Sequence, residues 1–143
     1  VDMATNYPIN KIVIHTSASP LRGDDAEDVH RWHLQNGWDG IGYHWVISEN
    51  KCEAGRPEYW IGSHVKGHNT NSIGIMLFGT GPSEYTETQM SILANKCREI
   101  LARHPTITDV CGHSDLDLKK PYCAGFDVRA WAKEKGIMPR SNR

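Results

Sequence analysis

Long apolar runs are missing from this chain. No stretch approaches the ~20 residues that a bilayer-spanning helix needs, so no membrane span is expected. An excess of one charge is missing too: 16 Lys and Arg stand against 17 Asp and Glu, for a net charge of −1. That balance offers no broad basic surface to nucleic acid. No Ser/Gly/Pro-rich linker, like-charge block or internal repeat divides the 143 residues. A chain of this length can build one sizeable core, so a single domain over residues 1–143 is expected, with its core at about 11–135. The segment Val1-Asp2-Met3-Ala4-Thr5-Asn6 lacks a basic region followed by an apolar one, so no signal peptide is expected, although a secreted form already cut before Val1 would look the same. Cysteine is scarce. Cys52, Cys97, Cys111 and Cys123 are widely spaced, which argues for reduced thiols. Cys97 and Cys111 read as small buried hydrophobes, and Cys52 as structural.

Strand and helix signals alternate along the chain. Ile12–His15 reads as a buried strand and Ser17–Gly23 as a loop. Asp24-Asp25 can cap a helix to about Gln35, stopped by Asn36-Gly37. Tyr43–Ser48 and Cys52–Ala54 suggest a hairpin. Ser72–Phe78 is the best candidate for a central strand. Thr86 with Gln89 forms a capping-box pattern before an amphipathic helix reaching about His104. Thr106–Val110 reads as a short strand, and Asp127 caps a last helix, Val128–Lys135. The order indicates an α/β fold with helices covering a central sheet.

What the chain does have is histidine, eight in all. His15 closes the first strand, His113 lies in Cys111-Gly112-His113-Ser114-Asp115, and Cys123 follows ten residues later. Imidazole and thiolate are good Zn²⁺ ligands, and three protein ligands leave a fourth position open. Zinc held in that way supports hydrolysis of an amide or ester. The competing reading is a hydrogen-bonded core histidine and an inert buried thiol. The spacing His-x9-Cys is no zinc-finger signature and does not decide between them.

Five short words occur in series: Ile14-His15-Thr16-Ser17-Ala18; Gly42-Tyr43-His44-Trp45; Gly62-Ser63-His64-Val65-Lys66-Gly67-His68-Asn69; Asn71-Ser72-Ile73-Gly74-Ile75; and Gly112-His113-Ser114-Asp115. In this order, from about Ile12 to Trp131, the chain resembles the type-2 N-acetylmuramoyl-L-alanine amidases, a family that includes short phage endolysins and peptidoglycan-recognition proteins. The resemblance implies a mixed sheet of about five or six strands flanked by helices. It also implies zinc on His15, His113 and Cys123, and hydrolysis of the amide between N-acetylmuramic acid and L-alanine. Relatives that only recognise peptidoglycan commonly lack the cysteine ligand, so Cys123 favours an enzyme.

By the same resemblance Tyr43 would stabilise the oxyanion or orient the attacking water. His44 is expected on the opposite strand face, in a structural role. Lytic members usually carry a lysine two residues before the third ligand. Here that position is Pro121, and Lys120 is assigned the role by a shifted loop path, with Lys119 the neighbouring alternative. A glutamate that some bacterial members use on the central strand is replaced by an apolar residue, Met76. His64, Lys66, His68 and Asn69 are assigned to substrate binding. The implied partner is peptidoglycan, met by a monomer made in a host cytoplasm and acting on the cell wall after release. A non-catalytic peptidoglycan-binding protein and a cytosolic muropeptide-recycling amidase are the alternatives, and a second role in polymerase regulation is neither indicated nor opposed.

Overall fold

The computed structural model describes residues 8–17, 42–65, 67–79, 81, 84–117 and 123–137. The expected helix at Asp24–Gln35 therefore lies outside the described residues, as do Lys66, Lys119, Lys120 and Pro121. Five strands form one mixed sheet among the described residues: β1 Lys11–Thr16, β2 Trp45–Ile47, β3 Cys52–Ala54, β4 Ser72–Leu77 and β5 Asp109–Gly112, in the order β3-β2-β4-β1-β5. β1 runs parallel to both β4 and β5, β4 runs parallel to β2, and only the β2/β3 hairpin is antiparallel.

The strand pleat divides the apolar residues between two faces. Ile12, Ile14, Ile47, Ile73, Ile75 and Leu77 pack on one side with Leu93, Cys97 and Ile100 of helix α1 (Glu87–Arg103), and with Val128 and Ala132 of helix α2 (Val128–Glu134). On the other side lie Val13 and Cys111 with Val65, and Val46 and Met76 with Phe78. Burial on both faces explains why the apolar residues Ile12–Ile14 of β1 and Ile75–Leu77 of β4 are consecutive rather than alternating. The second face carries the histidines.

Thr86 and Gln89 form the expected capping box, and Asp127 accepts from the Ala130 amide at 3.1 Å. The strand expected at Tyr43–Ser48 pairs regularly only over Trp45–Ile47, and a side chain is the reason. The His44 amide donates to the Gly74 carbonyl, but the Gly74 amide donates to His44 Nδ1 at 3.0 Å instead of to a backbone oxygen. The ladder stops there, and so does the alternation of faces. Tyr43 and His44 both lie near the histidine cluster, their rings 5.1 Å from His15 and 5.8 Å from His64 respectively, not on opposite faces as expected. The expected strand at Thr106–Val110 begins its ladder at Asp109. The residues before it bond to the approach of β1, with the Thr108 amide on the Asn10 carbonyl and the Thr106 hydroxyl on the Ile9 carbonyl.

A candidate metal centre at the strand ends

Parallel pairing of β1 and β5 in the register Ile14↔Gly112 sets the next residues of both strands, His15 and His113, side by side at their C-terminal ends. Open α/β sheets commonly bind ligands at this edge. His15 Nδ1 and His113 Nδ1 are 3.1 Å apart, and Cys123 Sγ lies 3.9 Å from His15 Nδ1. The donor atoms of the three residues all fall within 4.8 Å of one another, a group that could hold a metal ion. A tetrahedral zinc with ordinary bond lengths would separate its ligands by about 3.4 Å (N to N) and about 3.6 Å (N to S). The observed spacings fit that donor set.

Local structure brings Cys123 there. The Ser114 amide donates to the Cys123 carbonyl at 2.7 Å, and the Tyr85 hydroxyl to the Ala124 carbonyl at 2.7 Å. A methyl at Gly112 would stand 3.2 Å from Val128 and 3.4 Å from the Cys123 carbonyl, so the glycine permits this close pass. The Thr16 amide donates to Cys123 Sγ at 3.3 Å. The far nitrogen of His113, Nε2, lies 3.8 Å from an Asp117 carboxylate oxygen.

His15 itself is buried, and its imidazole is held well below its ordinary pKa by burial, with His64 and His113 adding to the effect. It is therefore neutral at neutral pH, the form that ligates a metal. Burial, assisted by nearby Cys123, raises the Tyr43 pKa. Tyr43 stays a phenol and keeps a proton to donate. Met76 pairs with His15 in the β1/β4 register and is buried among Val46 and Phe78, so the position beside His15 carries no carboxylate.

The word running from Gly62 to Asn69 makes internal bonds. His64 Nδ1 lies 2.9 Å from His15 Nε2, and His64 Nε2 lies 3.1 Å from Ser72 Oγ. Asn69 Oδ1 accepts from the His64 and Val65 amides, both at 2.9 Å. His68 offers its carbonyl to the Ser72 hydroxyl at 2.7 Å. These contacts give His64 and Asn69 partners inside the protein. Ser72, Asp117 and the Thr16 amide were not singled out in the sequence. A glycine within the apolar run Ser72–Leu77 was the one available signal, since a glycine in a strand often marks a close approach.

An α/β sheet with two histidines and a cysteine converging at its parallel strand ends defines a class of fold with a candidate metal site, and the fold is one that known proteins share. The family model described as N-acetylmuramoyl-L-alanine amidase matches residues 5–126. An endolysin of Enterobacteria phage T3 is 34% identical, with 92% of this chain and 90% of that protein covered. An endolysin of Enterobacteria phage K11 is 31% identical over 93% and 91%. Among solved structures, the N-acetylmuramoyl-L-alanine amidase LysC from Clostridium intestinale URNW superposes with a TM-score of 0.82 at 29% identity, covering 96% of this chain and 90% of that one. The chain belongs to the N-acetylmuramoyl-L-alanine amidase family.

Proposed function

We propose that this chain is a zinc-dependent N-acetylmuramoyl-L-alanine amidase, a single-domain endolysin that cuts the amide between the lactyl group of N-acetylmuramic acid and L-alanine in peptidoglycan. The observation that carries the reading is the complete His15/His113/Cys123 donor set, gathered within 4.8 Å at the ends of β1 and β5. Bound there, zinc would act as a Lewis acid that lowers the pKa of water and polarises the scissile carbonyl. In the hydrolysis, a water oxygen adds to the carbonyl carbon, the C–N bond breaks, and the L-alanine amine leaves with a proton. Tyr43, kept protonated by burial, donates a hydrogen bond to the oxygen on which negative charge develops. Lys120 is assigned a second such contact, and Lys66 and His68 a place along the stem peptide. The protein acts as a monomer on the wall of a phage host.

Purified protein tests the reading through its zinc content and its release of muropeptides from isolated sacculi. One zinc per chain is expected, with activity lost to a chelator and restored by zinc. His15→Ala, His113→Ala and Cys123→Ser should each abolish release, because two ligands hold the ion poorly. Full activity in chelated, metal-free protein would sink the mechanism. Stoichiometric zinc with peptidoglycan binding but no cleavage would leave a recognition protein.

A further inference from the structure

Behind the donor set runs a chain of hydrogen bonds whose direction is settled at its far end. The Ser72 hydroxyl has one proton, and it goes to the His68 carbonyl at 2.7 Å. Toward His64, Ser72 Oγ can therefore only accept, so the proton on His64 sits at Nε2, 3.1 Å away. His64 Nδ1 is then a lone pair, and it accepts from His15 Nε2 at 2.9 Å. With its proton on Nε2, His15 presents a lone pair at Nδ1, the atom that faces His113 and Cys123.

We propose that His64 is a positioning residue: the relay His68 carbonyl–Ser72–His64–His15 locks His15 in the tautomer and orientation that present Nδ1 to a metal ion.

The surroundings are shaped for that ring. A methyl at Gly74 or at Gly62 would come within 2.6 Å of His64 ring atoms. Both glycines thus clear a slot in which the imidazole lies between the sheet and the loop. Asn69 fixes the backbone at His64 through two amide bonds. His44 closes the slot from the other side, with Nδ1 on the Gly74 amide and Nε2 on the Trp60 carbonyl. An outer hydrogen bond of this kind orients a metal-binding histidine and raises its basicity, and its loss typically weakens metal affinity by ~10–100-fold. In this relay Ser72 and His64 act through His15.

The relay rests on the zinc reading above, and its test separates the two. In metal-free protein, ¹⁵N NMR of the imidazoles should show both His15 and His64 protonated at Nε2. Ser72→Ala removes the group that polarises the chain at little cost in volume, and should give mixed tautomers at both rings. Zinc affinity, measured by competition with a chromogenic chelator, should fall ~10–100-fold in Ser72→Ala and in His64→Ala. His64→Gln, whose amide can accept from one neighbour and donate to the other, should recover part of that loss. His15 protonated at Nδ1 in the wild-type protein would overturn the relay, as would wild-type zinc affinity in folded Ser72→Ala and His64→Ala. Correct tautomers in a wild-type protein that binds no zinc would uphold the relay and sink the metal enzyme.

Discussion

Tyr43 sits with its ring 5.1 Å from His15 and 6.4 Å from His64, in surroundings that oppose its ionisation. Removing only its hydroxyl isolates the donor role from packing. Tyr43→Phe should cut turnover ~10²–10³-fold, the usual cost of one transition-state hydrogen bond, with zinc content and melting behaviour unchanged. Wild-type turnover would demote the residue to packing against Val46, Met76 and Phe78. The lysines before Cys123 are separable by the same logic. If Lys120 steadies the oxyanion, Lys120→Ala should depress kcat more than it raises KM, because the contact strengthens as charge develops. Lys119→Ala should be nearly silent, as for a solvated charge. Equal small effects would mean that Pro121 has replaced the family lysine without compensation, and a large effect from Lys119 alone would move the assignment by one residue.

At the scale of elements, the start of α1 shows one residue serving two structures. Gln89 completes the capping box with Thr86, and its Nε2 also donates to the Phe78 carbonyl at 2.7 Å and the Ile47 carbonyl at 3.2 Å, tying the helix to the ends of β4 and β2. Thr86→Ala should cost about 1 kcal/mol, the ordinary value of a cap. Gln89→Ala should cost more, on the order of 2–4 kcal/mol, because it removes two further buried bonds. Urea unfolding would rank them, and equal midpoints would show that the carbonyl bonds contribute nothing. The capping box was legible in the sequence because its logic is local, three residues wide. The bonds to Ile47 and Phe78 were not, since they span 42 and 11 positions. The same division runs through the site. The candidate metal donors could be picked from ligand chemistry and from the ordered words shared with a family. The inward turn of His64 depends on the room that Gly62 and Gly74, on a loop and a strand, leave for its ring, and periodicity carries no trace of that. Tyr43 and His44 escaped the alternation rule because a ring nitrogen had taken the place of a backbone acceptor.

For the molecule as a whole, buried neutral histidines fix how stability responds to acid. Burial pushes the His44 imidazole from 6.5 down to about 4, outweighing its bond to the Trp60 carbonyl, which acts the other way. The unfolded chain takes up this proton first. The stability His44 contributes is therefore complete above pH 6.5 and declines as pH falls toward 4, at ~1.4 kcal/mol per unit, for a total on the order of 3 kcal/mol. His15 and His64 shift in the same direction and add to the slope. Carboxylates act lower. Burial alone would raise the Glu58 pKa, but hydrogen bonds from Arg103, His104 and Trp45 bring it below its ordinary 4.5. Its contribution is intact above 4.5 and is lost only as pH falls through that lower folded value. Between pH 6.5 and 4.5 the histidines alone of these groups set the slope. Urea unfolding of metal-free protein should thus show stability falling steadily across that window. His44→Gln should be less stable at pH 7, where it disturbs the bond from the Gly74 amide, yet should lose less stability on acidification. Parallel pH profiles for the two proteins would mean that His44 takes up its proton in the folded state as readily as in the unfolded chain.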